Sequence, residues 1–179
     1  KIFNMRTFIL TTLMLVTSST IVAPTTYEEP IVLNVEKPKP IKDYYAFLDA
    51  IGHQESGNRY DIVNRFGYMG RFQFGKATLR TIKVKVDKET FLSNPQIQDY
   101  AMLKLLCYNK EKLQKYIDKF EGQEINGILV TESGLLAAAH LGGQGSVKKW
   151  FRTGKVRKDG NGVGITSYMK RFGGYDLNL

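Results

Sequence analysis

The placement of proline constrains this 179-residue chain more than any other feature. Four of its five prolines, Pro24, Pro30, Pro38 and Pro40, fall between residues 24 and 42. The fifth, Pro95, follows Asn94, which is the N-cap and first-turn pair that opens a helix. Proline breaks helix interiors, so residues 43–179 are free to be helical almost throughout. Apolar residues at 44, 47, 48 and 51 predict a helix from Asp43 to Glu55, and 76–83 is a short helix candidate. The stretch opened by Asn94 runs toward Phe120 and stops at Gly122, with a break expected near Asn109. Thr131 caps a small-residue helix over 135–141, Ser146 caps 147–151 and Thr166 caps 167–172. Only Ile82 to Val86 alternates like a strand. The expectation is a mainly α single domain over 43–179.

The ends read differently. From Met5, a positive Arg6 precedes the apolar run Phe8 to Val16 and a Thr/Ser-rich stretch ending at Ala23. This is a secretory signal pattern over 1–23, cleaved near Ser19 or Ala23 or retained as an anchor. Residues 24–42 form a proline-rich tether. The expected localisation is export, to periplasm, envelope or exterior. The one cysteine, Cys107, excludes an internal disulfide and sits in an apolar run, where it reads as a small buried group.

One carboxylate breaks the amphipathic pattern of the first helix. With Tyr44 at zero and about 100° per residue, Leu48, Ile51 and Phe47 fall within about 60° of it. Glu55 falls at about 20°, inside that apolar stripe, whereas Asp49 falls at about 140°, toward solvent. Either the stripe ends at Ile51 and Glu55 points to water, or the carboxyl stands at the exit of a packed face, where it loses water and burial by itself raises its pKa. A glutamic acid holding its proton near neutrality is what general-acid catalysis requires.

The residues after Glu55 extend this reading. Glu55-Ser56-Gly57-Asn58 ends the helix, and Gly70-Arg71-Phe72-Gln73 places Gln73 eighteen positions after Glu55. Further on stand Ala139-His140-Leu141-Gly142-Gly143-Gln144-Gly145-Ser146-Val147 and a late Tyr168. In order and spacing these resemble the motifs of the soluble lytic transglycosylase family. Those are a Glu-Ser pair ending a helix, Gly-x-x-Gln, Ala-Tyr-Asn-Ala-Gly-x-Gly-x-Val, and a tyrosine in a late helix. The resemblance implies a lysozyme-like fold. His140 and Leu141 replace the Tyr and Asn of the third motif, so the sugar contact made there by Asn is missing.

The resemblance implies cleavage of the β-1,4 bond between N-acetylmuramic acid and N-acetylglucosamine in peptidoglycan. Glu55 would protonate the leaving oxygen and then act as base on the muramyl 6-hydroxyl, giving 1,6-anhydro ends without a second carboxylate. Asp61, the nearest downstream acid, reads as a loop residue. Ser56 would hold the carboxyl, and Gln73 would meet N-acetyl groups with its donor and acceptor. Met69, Gly70, Phe74, His140 and Tyr168 complete the implied substrate-binding set. Residues like Met69 and Phe74 are more often core, a plain turn is the commoner reading of Gly70, and Tyr168 reads equally as a core-edge residue. The rivals are a hydrolytic muramidase of the goose-type-lysozyme kind and a wall-binding or assembly module that does not cut.

No cofactor is implied. His53 and His140 lie far apart without a metal-ligand motif, and Asp159-Gly160-Asn161-Gly162 reads as a turn. The net charge is +9, and residues 142–179 hold eight Lys/Arg against two acids. That flank suits an anionic partner such as peptidoglycan and its attached polymers. The export signal argues against nucleic acid. The remaining partners implied are a membrane, through the N-terminal segment, and a larger wall or phage assembly.

Overall fold

A computed structural model describes residues 41–179. The leader expected over 1–23, and the tether over 24–42 except its last two residues, lie outside the described residues. The described chain is mainly helical, with seven helices and one two-stranded hairpin. No helix among the described residues is long and apolar enough to cross a membrane.

Helix α1 (Tyr44–Ser56) starts where the Asp43 carboxylate accepts from Ala46 N at 2.8 Å. It ends where Gly57 and Asn58 take positive φ, and their N–H groups donate to the His53 and Gly52 carbonyls. Helices α2 (Lys76–Thr81) and α3 (Lys88–Ser93, capped by Asp87) are short. Helix α4 (Pro95–Phe120) opens with the Asn94 side chain accepting from Ile97 N. It runs unbroken through Asn109, whose side chain is buried within it.

Cys107 is exposed, contrary to the expectation. The buried face of α4 runs through Leu105, Leu106 and Asn109, and Cys107 stands two residues beyond Leu105. That step is about 200° around the helix.

Strands β1 (Glu124–Ile125) and β2 (Ile128–Leu129) pair antiparallel through Asn126-Gly127, both at positive φ. This is the turn pair that favours a tight hairpin. The alternation at 82–86 forms no strand: Lys83 turns the chain at a φ of 57°, and Val84 N bonds back to the Leu79 carbonyl.

Helix α5 (Glu132–Gly142), capped by Thr131, is buried on every side from Ser133 to Ala139. It packs against α4, α6 (Gln144–Thr153) and α7 (Ile165–Arg171). Gly134 sets the close approach to α7, since a Cβ there would lie 2.8 Å from the Met169 carbonyl oxygen. Glycines take the starts of α6 and α7, Gly143 and Gly164. Ser146 and Thr166 are therefore first-turn residues rather than caps, and the Ser146 hydroxyl donates back to the Gly142 carbonyl at 2.7 Å.

Candidate functional site

Helix α1 buries Phe47, Leu48 and Ile51, and Glu55 continues that stripe with its side chain 15% exposed. Asp49 lies on the other face, 72% exposed, 3.4 Å from Arg71. The close packing of α5 on α7 brings two partners to the buried carboxylate. The Tyr168 hydroxyl donates to Glu55 Oε1 at 2.7 Å. His140 Nε2, from the last turn of α5, stands 3.6 Å from the same oxygen.

These partners reverse the ionisation expected from burial. Desolvation pushes the Glu55 carboxyl up, as reasoned from its place on the stripe. The His140 ring and the Tyr168 hydroxyl together outweigh it, so the carboxyl sits below its ordinary value and is ionised at neutrality. Burial, then the charge of Glu55 and the hydrogen bond to it, push the Tyr168 hydroxyl far above the ordinary tyrosine range. It remains a donor at any working pH.

Glu55 opens onto a cleft of about 480 Å³. Gln73, Phe74 and His140 line it too, as does Leu141. Phe74 is nearly fully buried and packs edge-on to the His140 ring at 6.1 Å, so it serves core and cleft wall together. The other residues singled out in the sequence stand behind this surface. Tyr168 is 4% exposed and reaches the cleft only through Glu55. Met69, 3% exposed, bridges to Val63 and Phe74 beneath the cleft.

Ser56 does not hold the carboxyl. Its hydroxyl donates to the Arg71 carbonyl at 2.8 Å and accepts from Arg59 N at 2.9 Å, so it ties the end of α1 to the Gly70–Gln73 turn. Gly70 is needed in that turn on two counts. Its φ is 71°, and a Cβ would collide with the Gln98 side chain. The fully buried Gln98 amide accepts from Arg71 N and donates to the Tyr60 and Phe91 carbonyls. The Arg71 guanidinium, 13% exposed, bonds Asn58 and Tyr60 and pairs with Asp49 and Asp99. The turn held this way presents Gln73 in left-handed backbone at a φ of 50°, its amide donating to the Gly70 carbonyl at 2.8 Å. A left-handed non-glycine residue costs about 1–2 kcal/mol, and the Ser56, Gln98 and Arg71 bonds offset that cost.

Two loops that sequence reasoning passed over complete the cleft. Phe66 and Tyr68, 54% and 45% exposed, line it from the loop after α1. The Asn64 carboxamide orders that loop by accepting from Phe66 N and Tyr68 N. In the second loop, which Arg65 of the first reaches with a hydrogen bond to Asn161, Asp159 accepts from Asn161 N and Val163 N and brings Arg157 and Asn161 to the wall. The available signal was two turn-forming Asx residues beside glycines and unpatterned aromatics. Asp61, by contrast, is 75% exposed beside Arg59. Three buried polar atoms on cleft residues have no hydrogen-bond partner: Asn109 Nδ2, His140 Nδ1 and Gln144 Oε1. Among the described residues no cluster of three or more His, Cys, Asp or Glu could hold a metal ion.

The site combines a carboxylate withdrawn from bulk water, a hydroxyl donor and a nearby imidazole at one of its oxygens, and an open polar cleft beside it. That arrangement can bind a polar polymer and move a proton at the carboxylate. No protein-family model matches the chain, and neither does any curated protein or solved structure.

Proposed function

We propose that the chain is an exported peptidoglycan lytic transglycosylase of lysozyme-like fold. In this reading residues 1–23 direct export or anchor the chain, 24–42 tether it, and 43–179 cut the glycan. The observation that carries the reading is Glu55: one largely buried carboxylate, gripped by Tyr168, at the wall of a cleft that Gln73 also lines. The glycan lies in the cleft with its scissile oxygen over the free side of the carboxyl. In the fraction of molecules whose carboxyl is protonated, Glu55 gives that oxygen its proton, and the C1–O bond breaks. Glu55 then takes the proton of the muramyl 6-hydroxyl as that oxygen closes onto C1, so the carboxyl ends as it began.

Purified sacculi incubated with the full chain and analysed by mass spectrometry test this. The expected products carry 1,6-anhydro ends, and Glu55→Gln lowers their yield on the order of 100-fold or more. Unchanged cutting by Glu55→Gln refutes the reading. One observation favours a second reading: Asp159 brings another carboxylate to the cleft, where a hydrolytic muramidase would need a base to activate water. Reducing ends that vanish in Asp159→Asn would establish that version. Leu141, a cleft residue unable to bond a sugar, suits a wall-binding module, for which sacculi would be bound and left uncut.

A further inference from the structure

We propose that Asn109 and Gln144 form an acetamido-binding subsite of the cleft, where a secondary amide carried by the glycan is recognised. The inference rests on the reading above only in placing glycan in the cleft. Its first ground is hydrogen-bonding capacity left unused. Asn109, on α4, is 2% exposed, and its Nδ2 is buried without a partner. Gln144 opens α6, and its Oε1 is likewise buried without a partner. Both residues line the cleft that Glu55 lines. Buried amide groups are nearly always bonded, so two orphans on one cleft point to a ligand that completes them. One orphan is an N–H donor and the other a carbonyl acceptor. A secondary amide offers the opposite pair, a C=O for Asn109 and an N–H for Gln144. It carries them on separate atoms, which suits two side chains that come from different helices; a hydroxyl has both on one oxygen.

The second ground is space. Gly145 lines the cleft one residue past Gln144, in the first turn of α6. Gly143 turns the chain at a φ of 77°, but Gly145 has no positive φ. A Cβ built on Gly145 meets no atom within 4 Å, so packing does not call for glycine there either. Glycine is a poor helix former, and the fold gains nothing from it at this position. What it leaves is open backbone beside Gln144, room for an acetyl group to lie against. Leu141, at the position where the related motif has its sugar-bonding Asn, offers no polar side-chain atom. Asn109 brings a carboxamide to the same cleft from another helix. The third orphan, His140 Nδ1, belongs to a ring nitrogen that serves as donor or acceptor, so it does not choose between ligands.

Nitrogen-15 NMR titration of the full chain with chitotetraose and with its de-N-acetylated counterpart tests the subsite. The acetylated sugar should shift the side-chain amide signals of Asn109 and Gln144; no shift overturns the proposal without recourse to any variant. Asn109→Leu should weaken the acetylated sugar roughly tenfold and leave the affinity for the deacetylated one unchanged. Gly145→Ala should likewise weaken only the acetylated sugar, with the urea midpoint unchanged or raised, so that the loss is not one of folding. Equal affinity of wild type and Asn109→Leu for the acetylated sugar overturns the proposal, as does a loss that falls equally on both sugars. The stem peptide of peptidoglycan is the other source of a secondary amide. Titrated alone it should leave the two signals unmoved; signals that answer to the peptide and not to the sugar overturn the acetamido assignment. Sacculus cutting separates the two failures. Anhydro products from a chain without acetyl preference reject the subsite and keep the enzymatic reading, and an acetyl preference in a chain that cuts nothing does the reverse.

Discussion

Replacing Tyr168 with Phe removes one oxygen and keeps the ring that packs on Phe172 at 5.0 Å. The lost contact is a 2.7 Å hydrogen bond to a carboxylate that is 15% exposed. Bonds to charged acceptors contribute about 1.5–3 kcal/mol, so a loss of about 2 kcal/mol is expected near neutral pH. Once Glu55 is protonated the bond joins two neutral groups and is worth about 1 kcal/mol. The cost of the substitution should therefore fall by about half on acidification. The native Glu55 carboxyl sits below its ordinary value. Its stabilisation is thus fully present above the ordinary carboxylate range and is lost as pH falls through the native value. Tyr168→Phe takes away one of the groups holding the carboxyl down, so the variant's stability also depends less on pH in that window. Urea unfolding followed by circular dichroism, near neutral pH and at an acid pH below the native carboxyl's titration, measures both effects. With a urea slope of about 2 kcal/mol/M, the neutral midpoint moves by about 1 M. A double-mutant cycle with Glu55→Gln assigns the loss to this pair. A cost below about 0.5 kcal/mol, or one that is the same at both pH values, would refute the reasoning.

Gly134→Ala pushes a methyl against the Met169 carbonyl oxygen, 2.8 Å from the new Cβ. It should lower unfolding free energy by about 1–3 kcal/mol in the same urea assay. Phe66→Ala removes an exposed aromatic from the cleft wall and should weaken sacculus retention in a pull-down while leaving the unfolding midpoint within error. Cys107 should react fully with a thiol reagent in the native protein, without denaturant, because it stands on the open face of α4.

What was legible in the sequence followed the range of the physics involved. Asn94 and Thr131 announced their helices because a cap bonds a backbone group three positions away. Ser146 and Thr166 carried the same chemistry one to three residues inside helices that begin at glycines. Gly143 separates α5 from α6 by a single residue and leaves no room for a capping side chain. The Asn126-Gly127 pair was a real hairpin signal, masked by strands of two residues each. Periodicity put Glu55 on the buried face correctly because the face of a helix is a local property. The Ser56 hydroxyl turned instead to a carbonyl fifteen residues away, which no local rule reveals. Phe66, Tyr68 and Asp159 sit in loops with no period, and only the folded chain brings them to one cleft.

The ionisation of Glu55 marks the boundary between these two kinds of information. That the carboxyl falls on the line of the apolar stripe is written in the twelve residues from Tyr44 to Glu55. What it meets there depends on residues far along the chain, Tyr168 lying 113 positions away. Those partners arrive because Gly134 and its alanine neighbours let α5 and α7 approach closely enough to set His140 beside Tyr168. Burial and partnership then push the same group in opposite directions, and partnership wins. A buried carboxylate held below its ordinary value is a poor acid at rest. The Tyr168 hydroxyl, for its part, is driven away from ionisation by burial and by the charge it serves. The His140 imidazole and the Tyr168 hydroxyl, from two different helices, therefore act together on one carboxylate oxygen.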